Sequence, residues 1–152
     1  MSFVPFVATP EDVVHRMLEF AKVNSQDILY DLGSGDGRIL ITAIKQFNVK
    51  RAIGIESRAD LVNKTIEEIK KRTLEDEIDV IKGDFHNVPL SEADVITLYL
   101  TTAANELLKP KLEKDLKDGT RIVSHDYEIA GWTPQRSENL GHHIIYLYIF
   151  KR

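Results

Sequence analysis

Ile28-Leu29-Tyr30-Asp31-Leu32-Gly33-Ser34-Gly35-Asp36-Gly37-Arg38 is an apolar run that ends in an acid, passes three glycines at alternate positions and opens a helix-patterned segment near Arg38. It reads as strand, tight turn and helix start. Glycine suits such a turn because positive φ costs it little and because a backbone without Cβ lets a ligand lie against the main chain. The backbone N–H groups of the turn are expected to face that ligand. A glycine turn alone is a weak signal, since ordinary strand-to-helix connections use it too. Its neighbours strengthen it. The apolar run Arg51–Glu56 ends in an acid about 20 residues after the turn, where a carboxylate can accept hydrogen bonds from ribose hydroxyls. A third run, residues 78–85 (IDVIKGDF), carries Asp84 near its end.

Outward from this stretch, strand and helix patterns alternate along nearly the whole chain. Thr9-Pro10-Glu11-Asp12 predicts a helix start with a Thr9 hydroxyl cap, proline at the first position and carboxylates beside the positive helix end. Val14, Met17, Leu18 and Ala21 follow at helical spacing. Leu40, Ala43, Ile44 and Phe47 mark a second helix, and Val62, Ile66 and Ile69 a third. Residues 94–100 (DVITLYL) form a fourth strand, followed by a helical segment expected to break at Pro110, and residues 120–125 (TRIVSH) a fifth. The strands are continuous apolar runs, as expected where both faces are covered. From Gly131 onward the helix signal stops. A polar stretch, Thr133–Leu140, is followed by Gly141 and the β-prone residues 143–150, and two strands joined without a helix must run antiparallel.

Length and composition bound the answer. The 152 residues fit one domain, with residues 1–10 as an N-terminal lid, and 43% hydrophobic with 29% charged residues is ordinary globular composition. No apolar run is long enough to span a bilayer and no signal-peptide pattern is visible, so the cytoplasm is the expected location and no membrane partner is expected. The chain has no cysteine, which excludes disulfides, thiolate metal sites and a cysteine nucleophile. A net charge of −4 argues against a direct nucleic-acid partner. With two methionines and many lysines and glutamates, the composition is compatible with a thermophilic source.

In a doubly wound sheet, ligands bind outside the carboxyl ends of the strands at the switch point, which is where Asp31, Glu56 and Asp84 fall. Singly they have ordinary roles available: a turn former, a helix cap and a solvated loop acid. Together they suit a nucleoside ligand. A nicotinamide dinucleotide is the nearest competitor, but Gly33-x-Gly35-x-Gly37 departs from the GxGxxG spacing and no room is left for a substrate domain. S-adenosyl-L-methionine accounts for the third acid, since Asp84 can accept from the adenine amino group. The predicted fold is α/β, Rossmann-like, with a mostly parallel seven-stranded sheet and a C-terminal antiparallel hairpin, the class I methyltransferase layout.

Asp31–Ile39, Gly54-Ile55-Glu56, Gly83-Asp84-Phe85, the opening Pro5-Phe6-Val7-Ala8-Thr9-Pro10 and His125-Asp126-Tyr127 resemble archaeal broad-specificity protein lysine methyltransferases along almost the entire chain. Mitochondrial lysine methyltransferases share a similar opening and glycine motif. Ala8 stands where the family often has proline. The resemblance implies S-adenosylmethionine as methyl donor and S-adenosylhomocysteine as product. It places Thr9, Asp31, Gly33, Ser34, Gly35, Gly37, Glu56, Asp84, Phe85 and Tyr99 at the cofactor, and folds the opening segment over it to shape a lysine channel. It also implies a monomer acting on exposed lysines of proteins, small basic chromatin proteins among them.

The residues narrow the chemistry further. Methylation of exocyclic or amide nitrogens commonly uses an Asn/Asp-Pro-Pro-aromatic tetrad after the fourth strand, where this chain reads Tyr99-Leu100-Thr101-Thr102. Transfer to a lysine amine needs no enzyme nucleophile, only a desolvated, aligned, neutral nitrogen. Tyr99, Phe6, Thr101, His125 and Asp126 are the candidates for the transfer site: Tyr99 to meet a cation, Phe6 to wall the channel, His125 to accept a proton or to serve as a structural histidine. The pair His142–His143 has no carboxylate near it in sequence, so no metal site is expected. Small-molecule or nucleic-acid methylation and a noncatalytic binding module remain the alternatives.

Overall fold

The computed structural model describes residues 6–152; Phe3 and Pro5 of the predicted lid lie outside the described residues. In chain order the elements are α1 (Glu11–Phe20), β1 (Ile28–Leu32), α2 (Arg38–Phe47), β2 (Arg51–Glu56), α3 (Ala59–Lys71) and β3 (Ile78–Lys82). A short 3-10 turn, Phe85–Asn87, precedes β4 (Val95–Leu98), α4 (Thr102–Asp115), β5 (Arg121–His125), β6 (Arg136–Leu140) and β7 (His143–Ile149). Among the described residues these strands make one seven-stranded sheet in the order β3-β2-β1-β4-β5-β7-β6. β1 to β5 run parallel, and β7 lies antiparallel to both β5 and β6. The chain order reverses between β1 and β4, so the cleft at their carboxyl ends is the switch point. This is the predicted architecture, hairpin included.

Side chains alternate across the strands and feed two cores. Leu29, Val95 and Val123 join α1 and α2 on one face, while Tyr30, Leu32, Ile96, Leu98 and Ile122 join Leu108 and Leu112 of α4 on the other. The same alternation places Asp31, Thr97 and His125 on the α1 face, in positions that would otherwise carry apolar side chains. The polar stretch after Gly131 becomes the edge strand β6, where Arg136, Ser137 and Asn139 are exposed or half-buried and discourage further pairing.

Two local expectations fail for tertiary reasons. Thr9 does not cap α1: Pro10 occupies the N-cap without a side-chain bond, and the Thr9 hydroxyl instead meets Nδ1 of His125 at 3.1 Å. α4 does not break at Pro110 but runs through it. Pro110 and Glu106, the residue whose carbonyl loses its helical partner, both face solvent, while Asn105, Leu108 and Leu112 are buried along the opposite side. Packing on both sides of the proline carries the helix across it.

The third glycine of the turn is fixed by space as well as by dihedral. Gly37 has φ +81°, and a Cβ there would lie 2.5 Å from Cγ2 of Thr65 in α3. Gly37→Ala is therefore expected to destabilise the protein by at least about 1 kcal/mol, read as a lowered urea midpoint with an unchanged slope. Equal midpoints would show that α3 gives way freely.

Candidate active site

A cavity of about 570 Å³ opens at the carboxyl ends of β1, β2 and β4. Its walls include Phe6, Thr9, Asp31, Gly33, Ser34, Glu56, Asp84, Phe85, Tyr99 and Thr101, all expected from the sequence. Gly35 and Gly37, also expected there, do not line it; Phe6 covers Gly35, and Thr65 of α3 packs against Gly37. His125 and Asp126 do not line it: His125 is fully buried beneath Tyr99, with ring centroids 3.8 Å apart. The sequence reading missed Arg38, Leu100, Ala104 and Leu107. Arg38 had a signal, a cation directly after an acidic turn; it grips Asp36 through Nη2 at 2.6 Å and donates from Nη1 to the Thr9 carbonyl at 3.1 Å. It thus ties the start of the chain to the glycine turn.

The turn itself works differently from the expectation. Its N–H groups do not face the cavity: those of Gly33 and Ser34 donate to the Ile55 carbonyl at 2.8 and 3.1 Å, and that of Gly37 to the Ser34 carbonyl. Gly35 donates to Oε1 of Glu56 at 2.8 Å. With the N–H groups of Gly33, Ser34 and Gly35 taken up by β2 and that of Gly37 by Ser34, the turn makes a poor nest for a phosphate. Phe6 already rests on the turn, since a Cβ at Gly35 would lie 2.3 Å from its ring. Both arginines of the wall are likewise engaged, Arg38 with Asp36 and Arg58 with Asp60. A pyrophosphate-bearing dinucleotide finds little here to bind.

Carboxylates dominate instead. Glu56 is buried and accepts from Gly35 and, at 3.0 Å, from the Arg58 N–H, leaving one lone pair on each oxygen. Asp84 caps the 3-10 turn with Oδ1 on the His86 N–H at 2.9 Å, which leaves Oδ2 for a ligand. Asp31 accepts from the Thr97 hydroxyl at 2.8 Å, yet burial and, more weakly, the nearby Glu56 and Asp36 push its pKa up to about 7. Ser34 Oγ is buried without a hydrogen-bond partner among the described residues and packs against Gly54. A ligand bearing positive charge and hydroxyl or amino donors fits this donor-hungry wall. S-adenosylmethionine has all three features and no phosphate.

Toward the opening the walls turn apolar: Phe6 is 40% and Leu107 71% exposed, beside Tyr99 and Tyr127. Burial, with help from Asp126 and Tyr127, raises the Tyr99 phenol above its ordinary pKa, so its hydroxyl keeps its proton at neutral pH. Thr101 caps α4 by accepting from the Ala104 N–H at 3.0 Å, which leaves its own proton free. Burial pushes His125 down to about 4, against an upward pull from Asp126. The pair His142–His143 has no carboxylate beside it in sequence, but it does in space: folding brings Asp126 to within 3.1 Å of Nδ1 of His143.

Comparison with known proteins agrees with this geometry. The family model for the ANTKMT methyltransferase domain matches residues 31–136. A protein-lysine N-methyltransferase of Saccharolobus islandicus (strain REY15A) is 51% identical over 150 residues, covering 96% of this chain and 93% of that protein. The adenine nucleotide translocase lysine N-methyltransferase of Mus musculus is 28% identical over 86% of this chain, which spans 56% of that relative's length. An RNA methyltransferase from Salinibacter ruber, solved in complex with S-adenosyl-L-homocysteine, superposes with a TM-score of 0.93 at 42% identity, over 95% of this chain and 94% of that one. The chain belongs to the ANTKMT methyltransferase domain family and is a methyltransferase of the class I fold.

Proposed function

We propose that this protein transfers methyl groups from S-adenosyl-L-methionine to lysine Nζ atoms of other proteins. One observation carries the reading: the cavity pairs a carboxylate-rich, phosphate-averse floor with an apolar mouth lined by Phe6, Tyr99, Leu107 and Tyr127. Glu56 would hold the ribose hydroxyls, Asp84 the adenine amino group and Asp31 the positive end of the cofactor, with Phe85 and the Gly33–Gly35 backbone as the surfaces it lies on. When bound, the cofactor supplies an electrophilic methyl group. Everything else falls to the protein.

A lysine amine has an ordinary pKa near 10.4 and must be neutral to act as a nucleophile. Apolar walls at the mouth disfavour the ammonium form by desolvation, while the Tyr99 ring face can steady positive charge. The Tyr99 and Thr101 hydroxyls, both protonated, can orient the nitrogen without competing for the methyl group. His125, buried behind Tyr99, meets the cavity wall through the Tyr99 ring and Thr9 Oγ1 and would act on the acceptor only indirectly. No helix of the described residues is long and apolar enough to cross a membrane. We read the chain as one cytoplasmic domain that acts as a monomer on small basic proteins, chromatin proteins among them.

A second reading, transfer to RNA, is favoured by the likeness to the Salinibacter ruber protein. Incubation of the purified chain with methyl-labelled S-adenosylmethionine separates the two. Label is expected on small basic proteins, is expected to vanish when their lysines are acetylated, and is expected to rise with pH at limiting substrate as more amine becomes neutral. Label on RNA in place of protein, or on acetylated protein, would overturn the lysine reading. No label on any acceptor would favour a binding module.

A further inference from the structure

We propose that His125, Asp126 and His143 form a binding site for a divalent transition-metal ion, zinc foremost, at the seam between β5 and the β6–β7 hairpin. Three potential ligand atoms converge there, all within 4.8 Å of one another. Nε2 of His125 lies 2.9 Å from Nδ1 of His143 and 3.3 Å from Oδ2 of Asp126, and Oδ2 lies 3.1 Å from Nδ1 of His143. A tetrahedral zinc ion with ligands at about 2.0–2.1 Å separates neighbouring donors by roughly 3.3 Å, so the triangle is already close to one face of such a site.

Proton accounting favours an ion over a hydrogen-bond network. His125 Nδ1 faces the Thr9 hydroxyl at 3.1 Å, and when Nδ1 gives its proton to that oxygen, Nε2 is left as a bare lone pair. His143 Nδ1 then brings at most one proton, and that proton can point at Nε2 or at Asp126, not both. In that tautomer at least one contact sets lone pair against lone pair. A cation satisfies all three donors at once.

The backbone is arranged to hold these donors. Asp126 has φ +64°, a conformation that non-glycine residues rarely adopt, and the Tyr127 N–H bonds across it to the His125 carbonyl at 2.8 Å. This tight turn folds the Asp126 carboxylate back beside the ring of its own neighbour, so that two consecutive residues can serve one ion. Ile144 fixes the orientation: its N–H holds Oδ1 at 3.1 Å, leaving Oδ2 for the centre. His143 and Asp126 are partly exposed, which gives an ion an entry path and a water-accessible fourth position. Because Tyr99 stacks on His125, an ion here would also brace one wall of the cavity.

Tag-free protein, stripped with a chelator and titrated with zinc against a chromogenic competitor, tests the site. One equivalent per chain is expected, with binding lost in Asp126→Asn and His143→Ala, weakened about tenfold in Thr9→Val, and unchanged in His142→Ala. Cobalt should give the intense visible bands of a tetrahedral site. Absence of stoichiometric zinc, or equal affinity in His143→Ala, would overturn the proposal. Should that variant fail to fold, imidazole resonances of the wild type decide: of the five histidines, only those of His125 and His143 should move on adding zinc, and movement of His15, His86 or His142 alone would refute it.

Discussion

Glu56→Ala is expected to bind S-adenosylmethionine at least tenfold more weakly than wild type, and Glu56→Gln to fall between the two. A hydrogen bond to a charged acceptor is worth about 1.5–3 kcal/mol, and about 1.4 kcal/mol is one decade in affinity. The geometry raises the expected loss. Glu56 is buried, and its oxygens hold the Gly35 and Arg58 N–H groups, so alanine removes the proposed ribose acceptor and also orphans two backbone donors that shape the glycine turn. The alanine variant should therefore lose stability as well as affinity. Glutamine keeps one carbonyl acceptor and separates the two effects. Calorimetric titration of folded protein reads the first, and urea unfolding the second; undiminished affinity in a folded Glu56→Ala protein would remove the residue from the cofactor site.

Asp31→Asn should make the cofactor-free protein more stable at pH 8 while changing little at pH 4. The wild-type carboxyl titrates near 7 in the fold, pushed up by burial and by Glu56 and Asp36, with only Thr97 pulling the other way. Between its unfolded value near 3.9 and 7, the native state holds the proton more tightly than the unfolded state. Stability from this group is thus fully present below about pH 4 and is lost as pH rises through 7. A shift of this size corresponds to a loss of about 4 kcal/mol. In a protein of this length that is roughly 10 °C in Tm. Asparagine still accepts from Thr97 but has no proton to lose, so the difference between variant and wild type should grow from pH 4 to 8 and then level off. A difference independent of pH would place the Asp31 titration elsewhere. On the proposed assignment of Asp31 to the positive end of the cofactor, the same substitution should also weaken cofactor binding. The residue then trades stability for function.

Local chemistry carried the fold into the sequence. The period of the apolar residues, the glycine turn after the first strand and the loss of helix signal after Gly131 sufficed for a parallel α/β sheet closed by a hairpin, because each of these is a short-range constraint on dihedrals and burial. The carboxylates were legible for the same reason: Asp31, Glu56 and Asp84 end or follow strands, and strand ends in a doubly wound sheet converge. What the N–H groups of Gly33, Ser34 and Gly35 do was not legible, since their acceptors, the Ile55 carbonyl and the Glu56 carboxylate, lie on a strand more than 20 residues away. Thr9 looked like a cap until the fold set His125 beside it, and Pro110 looked like a break until packing held both halves of α4.

The sequence by itself determined the elements, their order and the acids that line the cleft, all products of local spacing and strand polarity. Only the tertiary structure decided which polar groups share a partner. It closed the glycine turn onto β2, sank Asp31 until its pKa rose, and brought His143 of the hairpin against Asp126 and His125 at the end of β5. Hydrogen bonds and ion sites act over about 3 Å, and residues far apart in the chain meet at that range only after the sheet has formed.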